Sequence, residues 1–179
     1  MRGAGRRPFG SAVIAGAAAP PPSREVVACL LSHADRFLLL KRSSRVGSDR
    51  GRWHCVTGYC EPGVDPLEQA IREVHEETGI ASSDVRLLRR TPIRLAGPDG
   101  AWTVHAFHFA CSSSRISLKW EHDEAVWLSD PGASGLPTVP WLDAVHRTLT
   151  DGPHLLGPLP GPAEADVLLE DPACAPVRS

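Results

Sequence analysis

Three carboxylates crowd one side of a short predicted helix. Glu73, Glu76 and Glu77 are spaced i, i+3 and i+4 within residues 72–80, so at about 100° per residue they fall inside an arc of roughly 100°. Like charges at that spacing repel by a few tenths of a kcal/mol per pair on an isolated helix. A cation between them would turn the repulsion into binding, and carboxylate oxygens with substrate phosphates are how Mg²⁺ is commonly held. A plain solvated acidic face is the competing reading, because surface charge is ordinary.

The neighbouring residues define the element that must carry these acids. Asp65 before Pro66 predicts an N-cap followed by proline at the first helical position, with Glu68 placed to close a capping box. Leu67, Ala70, Ile71 and Val74 recur at helical spacing as an apolar stripe, with the acids on its flank, and Gly79 supplies the stop.

The run from Gly58 to Ile80 resembles the Nudix box, the signature of the Nudix hydrolases: Gly, five residues, Glu, seven residues, then Arg-Glu-apolar-any-Glu-Glu-any-Gly-apolar. Gly58, Arg72, Glu73, Val74, Glu76, Glu77, Gly79 and Ile80 match, eight of nine fixed positions, while Val64 stands where the family has its first glutamate. Upstream, residues 50–58 resemble the family's Gly-x-Trp segment, with Thr57 replacing the first glycine of the usual pair. Downstream, residues 121–128 resemble a late segment in which an acid precedes a strand near a tryptophan. The resemblance covers about residues 25–150 and implies an α/β fold, an α/β/α sandwich with a mixed β-sheet.

It also implies roles. Glu73, Glu76 and Glu77 are expected as Mg²⁺ or Mn²⁺ ligands, with Glu73 and Glu76 in the catalytic step. Arg72 is expected to orient Glu73 through a charge-assisted hydrogen bond, or else to form a surface ion pair. Among the loop acids Glu121, Asp123 and Glu124, the last stands just before a strand and is the expected general base; His122 reads as part of a polar loop. Arg42 and Arg52 are the basic residues expected to meet phosphate. Gly58 and Gly63 would admit backbone amides to phosphate or simply turn the chain, and Glu61 matches a common family acid. Any of Trp53, Trp102, Trp120, Trp127 and Trp141 could stack a nucleobase or pack in the core. Glu61 or Asp65 could stand in for the acid missing at Val64.

The substrate implied is a nucleoside diphosphate linked to another group, such as a dinucleotide, a nucleotide sugar or an oxidised nucleotide. The alternative is a Nudix-fold domain impaired in catalysis that binds a nucleotide or protein, which Val64 and Thr57 favour.

Composition agrees with one globular domain. The chain has 179 residues, 42% hydrophobic and 22% charged, and a net charge of −2 gives no reason to expect nucleic acid or an anionic membrane as partner. No apolar run approaches the roughly 20 residues that span a bilayer. A homodimer is left open. Five cysteines without CxxC spacing suggest reduced thiols and a cytoplasmic location. A zinc site around Cys55 and Cys60 lacks ligands in the local sequence.

Residues 1–24 carry arginines and no acids and are expected to form a disordered extension, with organelle targeting a weaker reading. Residues 25–150 are expected to form the domain, and 151–179 a proline-rich extended tail. Within the domain, strands are expected at 25–32, 37–41, 53–56, 85–95, 101–111 and 125–128, with a turn at 98–100. A second amphipathic helix is expected over 140–149, with Trp141, Leu142, Val145 and Leu149 on one face.

Overall fold

The computed structural model describes residues 24–97 and 100–151. The expected extension before residue 24, the tail from 152 and most of the turn at 98–100 lie outside the described residues. Arg24, assigned to the extension, instead opens the first strand opposite Trp102.

Strands β1 (Arg24–His33) and β2 (Arg36–Arg42) form the hairpin that their apolar runs predict. Ala34 and Asp35 turn it at φ of 45° and 59°, the left-handed geometry whose twist matches a two-residue hairpin. Burial on both faces accounts for the unbroken apolar character: Val27, Cys29, Leu31, Leu38 and Leu40 face one core, and Ala28, Leu30 and Leu39 the other.

The segment after the basic loop forms two short strands rather than one. β3 (Trp53–His54) pairs with β2, and β4 (Val56–Tyr59) pairs with β1, so the chain changes partner at Cys55. Helix α1 (Pro66–Thr78) follows. Next come β5 (Val85–Gly97) and β6 (Gly100–Cys111), an antiparallel pair in which β6 also runs parallel to β1. Pro92 is tolerated inside β5 because that strand lies at the sheet edge, paired on one side only. Strand β7 (His122–Leu128) pairs with β2, and α2 (Leu142–Thr150) closes the domain.

The result is a seven-stranded mixed sheet with the path β3-β2-β1-β6-β5, β4 and β7 joining β1 and β2. Alternation along the strands splits the core. Ala70 and Val74 of α1 pack on Val27, Leu31, Phe107 and Phe109, while Leu142, Val145 and Leu149 of α2 pack on Leu30, Leu39, Val104 and Ala106. A helix on each face gives three layers, an α/β/α sandwich. Among the described residues no helix is long and apolar enough to cross a membrane. Cys29, Cys55, Cys60 and Cys111 are free thiols.

Candidate active site

Helix α1 and the strand that faces it assemble the acids. Asp65 caps the helix: its Oδ1 accepts from the backbone N–H of Leu67 at 2.8 Å and of Glu68 at 3.4 Å. The capping box does not close, because Glu68 turns to Arg72 at 3.1 Å instead. Gly79 ends the helix at φ 72°, donating to His75 O at 2.9 Å, the left-handed stop that a side chain would strain.

Glu73 and Glu77 point back across β4, and Glu77 is not on a solvated face. One turn beyond Val74 on the buried flank, it is 5% exposed, and its Oε1 accepts from the Thr57 N–H at 3.3 Å. Glu73 is half-buried and accepts from Gln69 Nε2 at 2.9 Å. A Cβ added at Gly58 would overlap the Glu73 carboxylate. Gly58 therefore makes room for an acid, a role distinct from phosphate approach. Glu76 is exposed.

The electrostatics follow from burial and crowding. Desolvation raises the pKa of Glu77 well above the ordinary 4.5, reinforced by Glu73 and Glu121 and opposed by the Thr57 amide and Arg42. Desolvation also raises Glu73; the Gln69 hydrogen bond opposes it, and Glu76 and Glu121 add to it. Burial is the leading cause in both, and the neighbouring carboxylates add to it. Oε2 of Glu77 is buried without a hydrogen bond.

Several expected roles move. Arg72 does not reach Glu73; it pairs with Glu61 and Glu68, each at 3.1 Å, because it projects toward the loop before α1 while Gln69, one turn earlier, takes Glu73. Glu61 is thereby engaged with Arg72, and Asp65 with the amides at the start of α1. Glu124 is exposed and bonds Lys41 at 2.6 Å across the β2–β7 ladder, where strand alternation turns it from the acids. Of the loop acids, Glu121 is the one whose charge adds to the raised pKa of both Glu73 and Glu77, and its carbonyl accepts from the Ser43 N–H at 2.8 Å. Arg42 Nε donates to Ser48 O at 2.9 Å, holding the basic loop while its charge faces Glu77. Arg52 donates to Thr138 O at 2.9 Å and lies 3.9 Å from Asp49, so its guanidinium is committed to the loop before α2.

Sequence reasoning missed two buried histidines. His122, read as part of a polar loop, is 4% exposed at the start of β7, with its Nε2 2.9 Å from His54 Nε2 and 3.5 Å from Glu77 Oε2. Burial lowers both imidazoles, His54 well below 6.5 and His122 down to about 4. Buried Trp53 belongs to the core, whereas Trp120 is exposed; Tyr59, which went unnoticed, is exposed beside Gly58. A lone aromatic following a glycine turn was the available signal for Tyr59.

Among the described residues, two groups of three donors lie within 4.8 Å of one another: His54, Glu77 and His122, and Glu25, Cys60 and His105. Glu73 and Glu76 fall in neither. The partners that Cys60 lacks in the local sequence arrive from β1 and β6.

Comparison with known proteins places this geometry in a family. The family model for the NUDIX domain matches residues 22–133. An octanoyltransferase of Myxococcus xanthus is 32% identical over 121 residues, covering 64% of this chain and 33% of that protein; the chain spans about a third of that relative's length. The structure of a MutT protein from Methanosarcina mazei superimposes with a TM-score of 0.54 at 28% identity, covering 70% of this chain and 92% of that one. The NUDIX domain of Shewanella oneidensis NrtR, complexed with ADP ribose, gives 0.56 at 16% identity, covering 71% and 86%. With eight box positions, the two-faced mixed sheet and the acids of α1 laid over β4, the chain belongs to the Nudix family.

Proposed function

We propose that this chain is a divalent-metal-dependent pyrophosphohydrolase that cleaves the diphosphate of a nucleoside diphosphate linked to another moiety. The observation that carries the reading is the pair of α1 carboxylates laid on β4, Glu73 in the space left by Gly58 and Glu77 buried against the Thr57 amide. The donor set fits Mg²⁺ or Mn²⁺: hard carboxylate oxygens, one of them orphaned in the interior. Glu73, Glu76 and Glu77 would hold the ion, with the charge of Glu121 adding to theirs. When bound, such an ion neutralises phosphate oxygens and lowers the pKa of a coordinated water.

The chain's own residues do the rest. Glu73 is held in place by Gln69, and its raised pKa suits it to receive a proton from the attacking water. Arg72, braced by two carboxylates, keeps the loop of residues 61–65 against the helix. Arg42 supplies positive charge beside the acids. Tyr59 and Trp120 offer exposed rings next in sequence to Gly58 and Glu121, suited to stack a nucleobase. A related domain holding ADP ribose agrees with this substrate class.

The test is product formation from ADP-ribose, a nucleotide sugar, a dinucleotide and an oxidised nucleotide, with Mg²⁺ or Mn²⁺. Metal-dependent cleavage of at least one, lost in Glu76→Gln, is the expected result. A second reading rests on Val64: with Glu61 and Asp65 otherwise engaged, the missing acid has no stand-in. A domain that binds nucleotide without turnover would then show saturable binding and no product.

A further inference from the structure

The pair of histidines behind the acid cluster belongs to no step of the proposed hydrolysis. His54 enters from β3, His122 from the start of β7 and Glu77 from the last turn of α1. All three are buried, and their donor atoms lie within 4.8 Å of one another.

Hydrogen bonding alone does not satisfy this meeting point. A proton on His122 Nε2 can point to His54 Nε2 or to Glu77 Oε2, but not to both. If His54 carries the proton instead, the lone pair of His122 faces the carboxylate. With Glu77 ionised, each of these arrangements leaves one acceptor against another, and Glu77 Oε2 has no hydrogen-bond partner. A buried carboxylate oxygen left this way calls for an explanation, and a cation at the centre supplies one.

Donor type and spacing say which cation. Two imidazole nitrogens and one carboxylate oxygen are a borderline set, suited to zinc and its neighbours, whereas Mg²⁺ prefers an all-oxygen shell. Bonds of about 2.0–2.1 Å in a tetrahedral shell place adjacent donors about 3.3–3.4 Å apart. The observed separations, 2.9 Å between the imidazoles and 3.5 Å from His122 to Glu77, bracket that value.

We propose that His54, His122 and Glu77 form a binding pocket for a borderline transition-metal ion of the zinc type, with two imidazole donors that the carboxylate site lacks. The pocket shares Glu77 with the acids on which the proposed hydrolysis rests. Occupation of one site therefore changes the affinity of the other, reciprocally.

The experiment titrates the full metal-free chain with Co²⁺, followed by its visible ligand-field bands and by histidine ¹⁵N resonances. Expected are tetrahedral-type bands saturating at one ion per chain, displaced by Zn²⁺ and not by millimolar Mg²⁺, with shifts of the Nε2 signals of both histidines. His54→Gln and His122→Asn, each confirmed folded by circular dichroism, should weaken Co²⁺ binding at least about tenfold, since loss of even an outer-shell partner costs that much. Should a variant fail to fold, the ¹⁵N shifts of the unmodified chain decide. Absence of the bands, binding untouched by both histidine substitutions, or binding abolished instead by Cys60→Ser would overturn the pocket. Glu76→Gln separates this idea from the hydrolase reading: it should lose turnover and keep the Co²⁺ bands. Bands without turnover on any substrate would count against the hydrolase alone, and turnover without bands against the pocket alone.

Discussion

Gly58 and Glu77 show how single residues set the chemistry. Gly58→Ala would push a methyl into the Glu73 carboxylate, yet that side chain is half-buried and can swing aside. The expected outcome is a fall in kcat/KM on the order of 10²-fold from misplacement of the acid, with little change in Tm; steady-state kinetics and thermal melts check both. Glu77 carries a cost in the metal-free chain. Its folded pKa lies above the ordinary 4.5, so above that pH the unfolded chain releases the proton more readily than the folded one, and this group's contribution to stability falls as pH rises. Glu77→Gln removes that slope. Metal-free Glu77→Gln should melt higher than the parent at pH 7.5, with the gap closing as pH falls toward 4.5; melts across that range measure it. Val64→Glu should raise turnover at least about tenfold if an added carboxylate ligand strengthens the site by more than 1.4 kcal/mol, because Glu61 is tied to Arg72 and Asp65 to the helix cap. Unchanged turnover in assays at sub-saturating metal would contradict that.

Helix α1 was the most legible element, since cap, stripe and glycine stop all act within the helix itself. Asp65→Ala should lower stability by about 1 kcal/mol, measurable in urea melts, because it removes the acceptor for the Leu67 and Glu68 amides. The hairpin and α2 could also be read from their apolar patterns. What escaped the sequence depends on contacts between elements. No local pattern shows that the chain changes partner at Cys55, since β3 and β4 are fixed by β2 and β1, distant in the chain. The same holds for Arg72, whose turn toward Glu61 depends on how the loop packs. Glu121 and Glu124 stand three positions apart in one acidic run, and only the register of β7 on β2, with Glu124 opposite Lys41, tells which acid faces the helix. His122 looked polar because its neighbours are charged; its burial comes from the meeting of β3, β7 and α1.

At the scale of the whole molecule, the sheet divides labour between its faces. The α2 face is apolar around Leu30, Leu39 and Val145, while the α1 face grades from a packed core at Phe109 and Val74 to the acids over β4. Rigid strands thus hold one side of the site and a capped helix the other, with the ends of β2 and β4 supplying Arg42 and Tyr59 and the loop before β7 supplying Trp120 and Glu121. The central claim is that the acids of α1 grip a hard divalent ion against a pyrophosphate. Calorimetric titration of the metal-free chain with Mg²⁺, with and without ADP-ribose, addresses it most directly. The account predicts Mg²⁺ uptake that tightens when the nucleotide is present and is lost in Glu76→Gln. No uptake under either condition, or uptake indifferent to Glu76→Gln, would contradict it.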